Sequence, residues 1–228
     1  MFDKQQIGAA VGLILNGDKN AWEHGYFGLI HAEVMREHQG DYPAFDYEYK
    51  DRRLLYAHVN DHVLKNRPVD YLEFGVAGGQ SFRDWLSLNT CPESRFVGFD
   101  SFEGLPEDWH AGNRGKGAFS QNGAIPNITD PRGSFVKGWF NQTLEPFLAG
   151  FTPERQLVLH LDADLYSSTL YVLMTLNRVI KRGTVMIFDD FQPRDDFAAF
   201  HHWAKACGRN WRILAARRDH YKLAAVVW

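Results

Sequence analysis

Tyr71-Leu72-Glu73-Phe74-Gly75-Val76-Ala77-Gly78-Gly79-Gln80-Ser81 is the stretch whose reading decides the fold. An apolar run from Tyr71 to Gly75 suits a buried strand, and amphipathic helical spacing follows from Ser81 to Leu88. Between them lie small residues, which let the backbone turn sharply into a helix and approach a bound cofactor closely. The glycine spacing is not the dinucleotide fingerprint GxGxxG. A turn needed only for packing accounts for the glycines but not for the acid at Glu73, whose carboxylate is expected to receive an ammonium group.

Outward from this turn, short apolar runs alternate with helical stretches, the pattern of a parallel sheet wrapped by helices. Further strands are expected over Arg95 to Asp100, Ser134 to Lys137, Leu157 to Asp162 and Thr184 to Phe188, with helices over Gln142 to Leu148 and Ser168 to Lys181, the latter stopping at Gly183. A helix around Phe197 to Cys207 precedes strands Trp211 to Ala215 and Lys222 to Val227. The short link Arg217-Arg218-Asp219-His220 makes those two a hairpin, giving seven strands with an antiparallel edge. Residues 1–66 carry helical spacing (Leu54, Leu55, His58, Val59, His62, Val63), no convincing strand, and a loop at Gly40-Asp41-Tyr42-Pro43. The expected division is therefore a helical segment 1–66 followed by an α/β domain 67–228.

The 228 residues are 45% hydrophobic and 23% charged, with a net charge of -3, which excludes disordered and fibrous classes and offers no basic field for nucleic acid. Cys91 and Cys207 are far apart and form no CxxC pair, which fits a reducing cytoplasm. The apolar run Ile7 to Leu15 is too short to span a bilayer, and Asn16-Gly17-Asp18-Lys19-Asn20 stands where a signal peptide would carry small residues. No membrane partner is expected, and a homo-oligomer is allowed.

Ligands of open parallel sheets bind at the carboxyl ends of the strands, and here those ends are acidic. Asp100 suits ribose hydroxyls; its bland reading is a turn or cap aspartate in Asp100-Ser101. Asp162 and Asp189 are separated by one crossover helix and one strand, so Asp162, Asp189 and Asp190 emerge side by side. Three carboxylates converging there call for a hard cation, with magnesium favoured over manganese or calcium, against the bland reading of solvated loop aspartates. Phe102, Trp109, Phe119, Phe135, Trp139 and Phe140 make 102–140 dense in aromatics suited to adenine, sugar or core. Gly112 to Gly123, with Arg114 and Lys116, reads as a flap or an exposed loop.

These strings resemble the macrocin O-methyltransferase family and, more distantly, the catechol-type metal-dependent O-methyltransferases. The resemblance is carried by YLEFGVAGGQS at 71–81, FVGFDSFEGLPEDW at 96–109, KGAFS at 116–120, LHLDADLYSST at 159–169 and FDDF at 188–191. It implies a class I, Rossmann-like S-adenosylmethionine-dependent methyltransferase, with Glu73, Gly75, Ala77, Gly79 and Ser81 around the methionine portion. Asp100 with Ser101 would serve the ribose, and Gly138, Trp139 and Phe140 the adenine. Asp162, Asp189 and Asp190 match the family's magnesium ligands. The expected reaction is methyl transfer to a hydroxyl of a glycoside or other polyhydroxylated small molecule, with Asp162 catalytic through the metal. Leu165 stands where catechol-type enzymes carry a lysine base, so the base is open among Asp162, Asp164 and a histidine: His110 or the His201-His202 pair, with His160 expected to be structural. The rival reading is a metal-dependent glycosyltransferase using Asp162-Ala163-Asp164 as a DxD pattern.

Overall fold

Strands β1 (Ala44–Phe45), β2 (Val69–Phe74), β3 (Arg95–Asp100), β4 (Gly133–Lys137), β5 (Gln156–Leu161), β6 (Val185–Phe188), β7 (Trp211–Arg217) and β8 (Leu223–Val227) make one sheet in the order β1-β7-β8-β6-β5-β2-β3-β4. The structure is a computed structural model that describes residues 8, 11–12, 19–48 and 51–228. All pairings are parallel except those of β8 with β6 and β7. The helices are α1 (Lys19–Glu37), α2 (Arg53–His58, continuing as a π-helical turn over Val59–Leu64), α3 (Gln80–Leu88), α4 (Phe140–Ala149), α5 (Tyr166–Leu176) and α6 (Asp196–Ala206).

The central strand β2 is buried along its whole length, so its alternation sorts side chains between two covered faces rather than between core and water. Leu72 and Phe74 join Leu144, Leu173 and Phe200 from α4, α5 and α6, together with Val34 and Met35 from α1. Val69 and Tyr71 join Leu55, Tyr56, Phe82 and Trp85 from α2 and α3 on the other face. In α3, Phe82, Trp85 and Leu86 recur at three-and-four spacing and are buried together, which fixes which side of that helix meets the sheet.

Two expectations are corrected. The sheet has eight described strands, because Ala44–Phe45 pairs with Ala216 and Arg217 beyond β7, so the C-terminal hairpin does not form the edge. Two residues are too few to show alternation in a sequence. The crossover helix α5 ends at Leu176 with Asn177 as its cap, while Gly183, at φ +97°, belongs to the turn entering β6. The run Ile7 to Leu15 lies largely outside the described residues, and no described helix is long and apolar enough to cross a membrane.

Candidate active site

The carboxyl ends of β2 to β6 open into a cavity of about 790 Å³. One end is built by the turn after β2. Gly75 is indispensable there: at φ +92° a Cβ would stand 1.9 Å from the backbone oxygen of Asp162. Asp100, at the end of β3, accepts hydrogen bonds through Oδ2 from the N–H groups of Val76 (2.8 Å) and Ala77 (2.7 Å) and through Oδ1 from that of Phe102 (2.6 Å). It is thus both a cavity wall and the brace of the turn. Gly75, Ala77, Asp100 and Ser101 line the cavity, as do Gly138, Trp139 and Phe140 at the adenine end expected from sequence. Asn141 and Gln142 also line it there, and sequence reasoning missed both.

Glu73, Gly79 and Ser81 are not in the wall. Gly79 caps α3 at φ +79°. Glu73 is fully buried, and its two oxygens accept from Ser81 Oγ (2.7 Å) and Tyr71 OH (2.5 Å). Glu73, the expected ammonium receptor, and Ser81 form the floor beneath the turn rather than part of the cavity lining. Strand periodicity carried the missed signal, because Tyr71 and Glu73 are two residues apart and share one face. His160, paired opposite Glu73 in β5, extends the contact. Its Nδ1 lies 2.6 Å from Tyr71 OH and its Nε2 3.2 Å from Tyr56 OH, and Tyr56 OH donates to Asp189 Oδ1 at 3.0 Å. A continuous buried chain of side chains thus runs from the acid under the turn to Asp189.

The other end of the cavity is acidic. Asp162, Asp164 and Asp190 line it, with carboxylate oxygens within 4.8 Å of one another. Burial, then the charges of Asp190 and Asp189, push the Asp164 carboxyl up to about 8. Burial and Asp189 likewise hold Asp162 well above the usual carboxylate range. Asp189 behaves oppositely: burial works against its charge, but Lys222 and Arg52 outweigh it and hold the carboxyl low. Lys222 Nζ lies 2.6 Å from both Asp189 Oδ2 and the Asp189 backbone oxygen, and Arg52 Nη1 is 2.7 Å from Asp189 Oδ2 and 3.2 Å from Asp162 Oδ2. The expected trio is thereby divided, since Asp162 and Asp190 face the cavity while Asp189 is engaged by two cations and Tyr56. Lys222 and Arg52 were not read from sequence. A lysine opening an apolar strand was a faint signal for the first; nothing pointed to the second.

The segment after β3 is folded on itself. Trp109 pairs with Arg114, Leu105 exchanges backbone hydrogen bonds with Gly117 and Ala118, and Leu105, Trp109 and Leu165 form a small apolar cluster. Trp109 Nε1 donates to Asp195 Oδ2 at 2.9 Å, and Ser167 Oγ donates to Glu107 Oε1 at 2.5 Å, tying this flap across the acidic end. Lys116 and Phe119 of the flap line the cavity; no histidine among the described residues does. His160 is buried, and His202 is 3.0 Å from Tyr166 OH.

The macrocin-O-methyltransferase (TylF) family model matches residues 28–208. The chain belongs to this family. Among curated proteins it is similar to the 8-demethyl-8-(2,3-dimethoxy-alpha-L-rhamnosyl)-tetracenomycin-C 4'-O-methyltransferase of Streptomyces olivaceus, 34% identical over 143 residues that cover 54% of this chain and 53% of that protein. It is also similar to the demethyldecarbamoylnovobiocin O-methyltransferase of Streptomyces niveus, 29% identical over 153 residues covering 58% and 56% respectively. The chain thus spans about half the length of the curated relatives it matches. The calicheamicin methyltransferase CalS11 superposes with a TM-score of 0.59 at 23% identity, over 78% of this chain and 79% of that one, a likeness of fold. The class I methyltransferase architecture expected from sequence is thereby established, and the glycosyltransferase reading of Asp162-Ala163-Asp164 finds no support.

Proposed function

We propose that the chain is an S-adenosylmethionine-dependent O-methyltransferase that acts, with a magnesium ion, on a hydroxyl of a glycoside or other polyhydroxylated small molecule. The observation that carries this reading is the single cavity that joins a braced cofactor turn to a pole of carboxylates. Gly75 and Ala77 would hold the cofactor's methionine portion, Asp100 and Ser101 its ribose, and Gly138, Trp139 and Phe140 its adenine; all of them line the cavity. The family membership and the rhamnosyl group in the name of the Streptomyces olivaceus relative support a sugar hydroxyl as acceptor.

The donor set fits a hard divalent cation: carboxylate oxygens of Asp162, Asp164 and Asp190 lie within 4.8 Å of one another, and Asp189 meets Asp162 and His160 in a second such group. Asp162, Asp189 and Asp190 would hold it. Such an ion supplies a Lewis acid that lowers a hydroxyl's pKa and fixes its direction. The chain's own residues do the rest. Asp164, on the cavity side, would take the hydroxyl proton as the acceptor oxygen receives the methyl group that S-adenosylmethionine would supply, its sulfur leaving as a thioether. Leu105 and Trp109, packed with Leu165, line the cavity and would exclude water from its acidic end, and Arg52 beside the start of α2 and the flap residues Lys116 and Phe119 would frame the acceptor space of the proposed 67–228 domain.

The test is calorimetry with S-adenosylmethionine, with and without Mg²⁺, followed by mass spectrometry of a panel of glycosides for one added methyl. Tighter binding of a nucleotide sugar, full turnover in chelator, or methylation confined to nitrogen or carbon would each overturn the corresponding part of this reading.

A further inference from the structure

We propose that Arg52 is the resident cation of the acidic pole and that it yields this place when a divalent cation binds between Asp162, Asp189 and Asp190; the proposal rests on the metal-assisted reading above. A single nitrogen, Nη1, contacts Oδ2 of Asp189 and Oδ2 of Asp162, carboxylates at the ends of adjacent strands. Arg52 thus occupies the space between two of the three proposed ligands. With Arg52 there, two of the three proposed ligands already share a positive partner, which keeps them from repelling one another.

Two cations serve Asp189, and they are not equivalent. The Lys222 side chain is 1% exposed and its Nζ also holds the Asp189 backbone oxygen, so it is built into the sheet end. The Arg52 side chain is 20% exposed, lines the cavity, and makes its side-chain hydrogen bonds to these two aspartates. After Arg52 swings into the cavity, Asp189 retains Lys222 on one oxygen and Tyr56 OH on the other. No buried carboxylate is stranded by the exchange.

Electrostatics favours the exchange once the ion is present. A guanidinium brings one delocalised charge to hydrogen-bond distance, roughly 2.7–2.9 Å from a carboxylate oxygen, whereas Mg²⁺ brings two charges to roughly 2.0–2.1 Å. The dehydration of the ion opposes this, so Arg52 sets how much free cation is needed. Arg52 thus keeps the pole assembled in the absence of metal and lowers its apparent affinity for metal, as any competitor for the same oxygens does.

The experiment uses Mn²⁺ as the probe, with free Mn²⁺ read by electron paramagnetic resonance for the wild type, Arg52→Met and Arg52→Lys. Circular dichroism and melting in chelator check that each variant folds. Arg52→Met is expected to bind Mn²⁺ at least tenfold more tightly than the wild type, with Arg52→Lys between them. In the wild type alone, modification by phenylglyoxal, assigned to Arg52 rather than Arg53 by fragment-ion mass spectrometry, is expected to be slow in chelator and several-fold faster with Mn²⁺. Wild-type binding with equal or weaker affinity in Arg52→Met, or Arg52 labelling unchanged or slowed by Mn²⁺, overturns the exchange and leaves the metal reading standing. Absence of Mn²⁺ binding in the wild type and in both variants overturns the two together.

Discussion

Lys222→Met removes the deeper of the two cations that hold Asp189. Both side chains of that pair are 1% exposed, and the Nζ–Oδ2 distance is 2.6 Å. Breaking a buried pair by deleting one partner typically costs about 3–5 kcal/mol, because the remaining charge keeps its desolvation penalty without its partner. Arg52 and Tyr56 still face Asp189, which places the expected loss toward the lower figure. At roughly 2–4 °C per kcal/mol for a domain of this size, the melting temperature should fall by about 10 °C. Asp189→Asn alone should also destabilise, since it leaves the Lys222 ammonium buried without its counter-charge. The double variant Lys222→Met/Asp189→Asn, in which neither charge is left alone, should be more stable than the sum of the single losses by about 2 kcal/mol or more. Urea unfolding followed by tryptophan fluorescence, in chelator so that no metal contributes, measures all four corners. A Lys222→Met loss under about 1 kcal/mol, or losses that simply add in the double variant, would refute the ion-pair reading of this end of the sheet.

Gly75→Ala should abolish detectable S-adenosylmethionine binding in calorimetry, because its Cβ has no room beside the Asp162 carbonyl and its φ of +92° disfavours a side chain. Asp100→Asn should weaken cofactor binding about tenfold or more, since an amide oxygen must replace a carboxylate that braces three N–H groups of the turn and the segment beyond β3; an unchanged Kd would count against the brace. Asp164→Asn should lower kcat by about 10²–10⁴ while leaving cofactor affinity close to wild type. His31, 8% exposed with Nε2 unpartnered among the described residues, is pushed down to about 4 by burial and by His220, against the pull of Asp219. The unfolded chain therefore binds a proton there that the folded one refuses, and stability falls as pH drops from about 6.5 toward 4, by up to about 3 kcal/mol. Melting of His31→Phe against wild type across that window should show a smaller acid loss in the variant.

What the sequence discloses about this fold is what periodicity and punctuation carry. Strands β2 to β6 are short, mostly apolar runs ended by glycine or aspartate, and their order along the chain already places Asp100, Asp162 and Asp190 at one edge. Tyr71, Glu73 and His160 show a subtler limit. Their shared face follows from strand alternation and register, but a carboxylate at the end of a strand suggests a ligand more readily than a buried tyrosine does. Arg52 and Lys222 mark the real boundary. Arg52 meets Asp162 and Asp189 across 110 and 137 residues of chain, a separation at which local pattern holds no information about partners. Ala44–Phe45 is similarly invisible, being a strand only because β7 offers it an open edge.

The two halves of the cavity are held to each other by more than the sheet. The backbone oxygen of Asp162 sits where a Cβ on Gly75 would be, so the first residue of the acidic pole packs directly against the cofactor turn. Gly75 N–H donates to the Phe99 carbonyl (3.0 Å) and Asp162 N–H to the Phe74 carbonyl (2.9 Å), which registers three strand ends by main-chain bonds alone. Beneath them, Glu73, Tyr71, His160, Tyr56 and Asp189 form a second tie through side chains, buried on a face with no water to compete for the bonds. In-line methyl transfer demands that a nucleophile and a sulfonium carbon be held at fixed distance and angle, and misplacement by even ~1 Å is expensive in rate. In the proposed reaction, these main-chain contacts, which need a glycine at 75, would hold that distance. Exchange at Arg52 would then alter the charge of the pole while leaving its position relative to the cofactor turn unchanged, because neither the Gly75–Asp162 contact nor the Glu73-to-Asp189 chain passes through the guanidinium.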